Sequence, residues 1–106
     1  ISRARLAATD VDGVVWMVGR LSGATVWQND SLQRRHLTRP VFQGGFVVVA
    51  DREGYLHWLD ADTGELAARE RFGKDAPAAA PLVIGNTLYV LDRDGRLSAW
   101  RAGARR

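Results

Sequence analysis

Apolar runs of five or six residues recur along the chain, separated by short segments rich in Gly, Asp and Thr. The run FVVVAD (46–51) is continuous and β-branched, the pattern of a strand covered on both faces. In YLHWLD (55–60), Tyr55, His57 and Leu59 fall on one face and Leu56 and Trp58 on the other, because strand side chains alternate. Arg52, Glu53 and Gly54 form the hairpin between these runs, with Gly supplying the positive φ that the turn needs. Two more strands flank this pair. One is at 38–43, with Pro40 near its start, and the other at 65–71, alternating and charged as suits an exposed edge. Three further strands are predicted at 5–10, 14–19 and 24–30, and three at 80–84, 87–92 and 96–101.

The pattern repeats with a fixed offset. Gly13, Gly54 and Gly95 lie 41 residues apart, as do Asp10, Asp51 and Asp92. Pro40 and Pro81, and Gly23 and Gly64, keep the same spacing, and FVVVADREGYLHWL (46–59) overlies TLYVLDRDGRLSAW (87–100) without a gap. A period near 41 that carries strands and turns is the signature of β-propeller blades. The fold class is therefore all-β, a β-propeller of four-stranded blades. The 106 residues hold about two and a half periods, whereas closed propellers have 4 to 8 blades, so the chain reads as a fragment of a larger propeller. The register divides it into a partial blade (1–37) without its inner strand, a complete blade (38–78), a partial last blade (79–101) and a basic tail (102–106). Its open faces imply the remaining blades of the same propeller as partners, and alone in water it should be marginal.

Charge and composition narrow the function classes. Lys and Arg number 15 against 12 Asp and Glu, giving a net charge of +3, and every cation except Lys74 is Arg. Three of these arginines sit in the terminal RAGARR and three at positions 34, 35 and 39, without the interleaved aromatics that stack bases. Nucleic acid is therefore not an expected partner. The chain has no cysteine, which excludes a disulfide, a thiolate metal site and a cysteine nucleophile within these residues. No apolar run approaches the ~18 residues needed to span a bilayer, and Ile1 does not begin a signal peptide. Any export signal or lipid anchor is expected upstream.

Candidate chemistry is sparse. Asp10, Asp51 and Asp92, each with a carboxylate two residues on, resemble acid–base pairs, but recurrence at every turn marks them as acceptors for hairpin N–H groups. His36 and His57 stand 21 residues apart with no metal-ligand cluster around either. His57, Trp58 and Tyr55 suggest an aromatic ligand site, against which stands the role of aromatics as wedge filling between blades. Ser31 and Ser98 lack a base at a recognisable spacing, and glycine-rich phosphate loops are absent. The long polar connection NDSLQRRHLTR (29–39) belongs on the rim, where Arg34, Arg35 and His36 are the candidate contacts to an acidic partner or lipid headgroups. Gly13, Gly54, Gly95, Gly23 and Gly64 are assigned to turns, and Trp27 and Trp58 to packing.

The turn LDADTG (59–64) and the segment SGATVW (22–27), with Trp27 four residues after Gly23, resemble the repeat of pyrroloquinoline-quinone-type propellers. Gly19 and Ser22 replace the Asp and Thr of that repeat in the first unit, and Ala68 replaces its Trp in the middle one. Drift of this kind marks the turn and the Trp as packing devices. Within the superfamily, GATVW (23–27), NDSLQRRHLTRPV (29–41), EGYLHWLDADTG (53–64) and DGRLSAWR (94–101) are most similar to the propeller lipoproteins of the outer-membrane β-barrel assembly machinery, in their C-terminal blades. The resemblance implies an eight-bladed scaffold at the periplasmic face of the outer membrane, held by an N-terminal lipid, with no catalysis and no cofactor. It implies docking on the barrel-forming subunit and assistance to nascent outer-membrane proteins. That family's docking loops lie mostly in earlier blades, so no partner residue carries over. The alternative is a blade fragment of a quinone-dependent dehydrogenase, which needs calcium-binding carboxylates, a catalytic Asp and often a vicinal cysteine pair. This chain has no cysteine and no such cluster.

Overall fold

A computed structural model describes residues 5–101, and the basic tail assigned to 102–106 lies outside the described residues. Ten strands form three antiparallel sheets. The first contains β1 (Arg5–Thr9), β2 (Val15–Gly19) and β3 (Thr25–Asn29), in that order. The second contains β4 (Val41–Gln43), β5 (Phe46–Ala50), β6 (Tyr55–Asp60) and β7 (Leu66–Arg71). The third contains β8 (Leu82–Ile84), β9 (Thr87–Leu91) and β10 (Leu97–Arg101), again as a meander.

All ten expected strands form, and the two that follow the polar connections are shorter than their patterns predict. β4 starts at Val41 instead of 38, because Pro40 has no N–H for the ladder. Thr38 nevertheless keeps hold of Ala50: its N–H donates to the Ala50 carbonyl at 2.9 Å, and its Oγ1 accepts from the Ala50 N–H at 3.1 Å. β8 likewise starts at Leu82, just after Pro81.

Period-two alternation divides the interior into two wedges. Val47, Val49 and Leu59 face the first sheet and pack with Val15, Met17, Trp27, Leu32 and Ala61. Val48, Ala50, Leu56 and Trp58 face the third sheet and pack with Phe72, Leu88 and Val90. This two-sided cover explains why β5 is apolar at consecutive positions. Leu82, Ile84 and Leu97, each more than half exposed, share the opposite face of the third sheet, which no other sheet covers among the described residues.

Each wedge is closed by an indole. Trp27 lies across the turn of the middle sheet, its Nε1 donating to the Ala61 carbonyl at 2.9 Å. A Cβ on Gly64 would fall 2.5 Å from that ring, so the turn has glycine both for contact and for its φ of 80°. Trp58 donates at 2.8 Å to Oε1 of the buried Gln43, whose Nε2 donates to the carbonyls of Asn86 (2.9 Å) and Trp100 (2.8 Å) in the third sheet. Gly23 turns the chain between β2 and β3 at a φ of 72°.

Candidate functional site

The three repeated aspartates occupy one structural position, the start of the central hairpin of each sheet. Oδ1 of Asp10 accepts from the N–H groups of Asp12 (2.9 Å) and Val14 (3.0 Å). Oδ1 of Asp51 accepts from Glu53 (2.9 Å) and Tyr55 (3.0 Å), and Oδ1 of Asp92 from Asp94 (3.0 Å) and Arg96 (2.8 Å). The carboxylates thus serve as turn acceptors. Gly13, Gly54 and Gly95 complete these turns with φ of 89°, 95° and 84°.

The second oxygen differs from unit to unit. Asp10 Oδ2 accepts from Trp16 Nε1 at 2.9 Å, and Asp51 Oδ2 accepts from His57 Nε2 at 2.7 Å. Trp16 and His57 occupy equivalent repeat positions, so a ring N–H meets the same carboxylate in both. In the third unit the position is Ser98, whose hydroxyl donates to the Val90 carbonyl instead. Asp51 also receives an arginine, with Arg35 Nη1 at 3.0 Å. Arg35 comes from the connection after β3, so the first sheet covers the middle hairpin with a cation. Asp51 and His57 are 0% and 1% exposed, whereas Asp10 is open to solvent.

Burial pushes the Asp51 carboxyl up, but the His57 ring, the Tyr55 N–H, Arg35 and the Glu53 N–H outweigh it and hold the group at about 2. At Asp10, donation from the Trp16 indole and the Val14 N–H lowers the carboxyl below its ordinary value. An unfolded aspartate titrates near ~3.9, so between that value and about 2 the unfolded chain binds more protons at position 51 than the folded one. Stability from this group is complete above pH ~4 and is lost as pH falls toward ~2, amounting to ~2 kcal/mol. Melting temperatures measured across that window should fall with acid, and Asp51→Asn should flatten the fall.

The rim residues chosen from sequence do not act together. Arg34 and His36 are exposed, with φ of 69° and 57°, and line a depression of about 440 Å³ with Val11, Asp12 and Gln33. The Arg34 N–H donates to the Asp12 carbonyl at 3.2 Å, tying the connection to the β1–β2 hairpin. Arg35 points the other way and is engaged by Asp51, with Glu53 at 3.8 Å. Leu32 of the same connection is buried in the first wedge, so this segment is packed instead of merely solvated. Among the described residues no three His, Asp or Glu side chains converge as a metal set. Sequence reasoning missed Gln43 and the Arg35–Asp51–His57 set, although a ring donor six residues after both Asp10 and Asp51 was a usable signal.

Meandering sheets with a 41-residue period, packed face to face and closed by a Trp on a Thr-Gly turn, define blades of a pyrroloquinoline-quinone-type β-propeller. Residues 11–104 match the family model described as outer membrane protein assembly factor BamB. The outer membrane protein assembly factor BamB of Alkalilimnicola ehrlichii is 44% identical over 97 residues, covering 92% of this chain and 25% of that protein. This chain belongs to the BamB family. The crystal structure of BamB from Moraxella catarrhalis is similar at a TM-score of 0.85 and 31% identity, over 95% of this chain and 30% of that one. A europium-containing methanol dehydrogenase shares the fold alone, with a TM-score of 0.66 and 17% identity over 92% of this chain and 20% of that chain. The chain spans about a quarter of the length of such curated relatives.

Proposed function

We propose that this chain is part of a non-catalytic propeller scaffold that serves assembly of β-barrel proteins in the outer membrane. In this reading its parent has eight blades and is held by an N-terminal lipid at the periplasmic face of a Gram-negative outer membrane. It docks on the barrel-forming subunit and assists insertion of nascent outer-membrane proteins. The observation that carries the reading is the 44% identity, over 92% of the chain, to a protein named as an assembly factor. The site chemistry agrees with a scaffold, because the repeated carboxylates are occupied by their own hairpins. The dehydrogenase likeness is one of fold and supplies no catalytic residue here.

The test is affinity isolation of the intact protein from detergent-solubilised outer membrane, followed by mass spectrometry. Recovery of the barrel-forming subunit is expected; recovery of the propeller alone would sink the scaffold reading. Arg34 and His36, exposed at one depression on the rim, are the proposed partner contacts. Charge reversal in Arg34→Glu should reduce recovery of the subunit by a factor of about five at most, the range of one exposed ion pair. Recovery equal to wild type would remove Arg34 from the interface.

A further inference from the structure

Left-handed backbone sets one stretch of the rim apart from the rest of the fold. Among the described residues seven glycines have a positive φ, and two residues with side chains do: Arg34 at 69° and His36 at 57°. A side chain at such a φ is strained, and glycine relieves the strain. The chain has glycine at the other left-handed positions and keeps an arginine and a histidine at these two. Nothing inside the protein offsets the strain. Both side chains are exposed, and neither makes a hydrogen bond or an ion pair among the described residues. The bond from the Arg34 N–H to the Asp12 carbonyl is a backbone contact that glycine would make as well.

A second departure from the repeat stands beside them. Val11 is 99% exposed at the tip of the β1–β2 hairpin, where the other two units have Arg52 and Arg93. A β-branched apolar residue suits a strand better than a hairpin tip. Arg52 stays exposed although the connection after β3 packs on its hairpin, accepting the Arg52 N–H at 3.1 Å through the Arg35 carbonyl. A blade packed before the first sheet would therefore leave the Val11 tip open as well. Val11, Arg34 and His36 line one depression of about 440 Å³ with Asp12 and Gln33. Its walls are fixed: Leu32 is buried beneath, Arg35 is held by Asp51, and a Cβ on Gly13 would stand 2.8 Å from the Leu32 carbonyl oxygen. Positions 32 and 35 thus anchor the connection, while 33, 34 and 36 are exposed.

We propose that this depression is a preformed docking site for a protein loop that carries a carboxylate beside an apolar side chain. Arg34 pairs with the carboxylate, Val11 takes the apolar side chain, and Asp12, Gln33 and His36 meet polar groups of the loop. The mixed lining selects a protein over an anionic lipid headgroup or a free phosphate, because Asp12 repels either anion at the same depression. The anchored connection needs little further ordering when the loop arrives, which favours binding. The site belongs to the scaffold proposed above and rests on that reading. It adds what the partner presents, and it makes Val11 the apolar anchor beside Arg34.

Titration of the intact protein with the purified barrel-forming subunit, run beside thermal melts, tests it. Val11→Arg, which restores the residue type of the other two units, should weaken binding about tenfold, the effect of losing one buried valine contact. Arg34→Gly should weaken it by up to about fivefold, the range of one exposed ion pair, and His36→Gly by less. Both glycine variants should nevertheless melt at or above the wild-type temperature, because relief of the left-handed strain offsets the added freedom of the unfolded chain. Side chains kept for folding alone predict the reverse, lower melting temperatures with binding intact, and that result would overturn the proposal. Binding by wild type that is undiminished in Val11→Arg and Arg34→Gly overturns this docking site and leaves the scaffold reading standing. Absence of binding by wild type overturns both. Vesicles containing phosphatidylglycerol are the lipid control, and no binding to them is expected. If wild type binds them and Arg34→Gly abolishes that binding while leaving the subunit titration unchanged, the depression is a lipid contact and the proposal fails.

Discussion

Valine in place of Gly54 is expected to destabilise the protein by at least ~4 kcal/mol, beyond what an ordinary turn substitution costs. Two effects add. The φ of 95° lies where a β-branched side chain is strained, and the new Cβ would collide with the backbone carbonyl of Gly73, its carbon only 2.7 Å away. That carbonyl has nowhere to go. The N–H groups of Phe72 and Gly73 both donate to the Gly54 carbonyl, at 2.8 and 3.4 Å, so the obstructing segment is tied to the residue it obstructs. The repeat supplies its own control. Gly95 has a φ of 84° but open space around its Cβ direction, so valine there should cost only the backbone strain, ~1–2 kcal/mol. Denaturant midpoints of the two variants separate these terms, and equal losses would refute the collision.

Asp51→Ala is the second large effect, expected at ~3–5 kcal/mol. The substitution removes the acceptor of two hairpin N–H groups and at the same time leaves Arg35 and the buried His57 without their anion. The equivalent Asp92→Ala should cost ~1–2 kcal/mol, because there only the two hairpin donors are lost. Matching losses from calorimetry of the two variants would show that the ion set at Asp51 contributes nothing net.

These two positions also show how far the sequence could be read. The hairpin at 51–54 was legible because a turn is a local event: an acceptor, a second carboxylate two residues on and a glycine stand close together, and the repeat states the pattern three times. The strands were legible for a similar reason, since alternation along β6 already separates Leu56 and Trp58 from His57 and Leu59. What the residues do across sheets was not legible. Arg35 stood in a polar connection and read as a rim contact, yet it is drawn under the loop by a carboxylate 16 residues away. Arg34 and His36 stay outside, so three adjacent candidates divide between two surfaces. Gln43 ended a predicted strand without any sign that it would be 1% exposed, because its partners are 15, 43 and 57 residues distant.

Gln43 has a further consequence. Its amide accepts from one indole through oxygen and donates through nitrogen to two carbonyls, so it reads polarity as well as shape. Glutamate, nearly identical in size, would turn a negative oxygen toward both carbonyls, and leucine would leave the indole N–H unanswered. The contact therefore works as a gauge between the two sheets: the amide is fully satisfied only where the third sheet brings both carbonyls to the height of the middle sheet's inner strand. Both carbonyls are main-chain groups, so this one amide sets how the next sheet lies against the middle one, in height and tilt, while the apolar side chains around it fill the wedge.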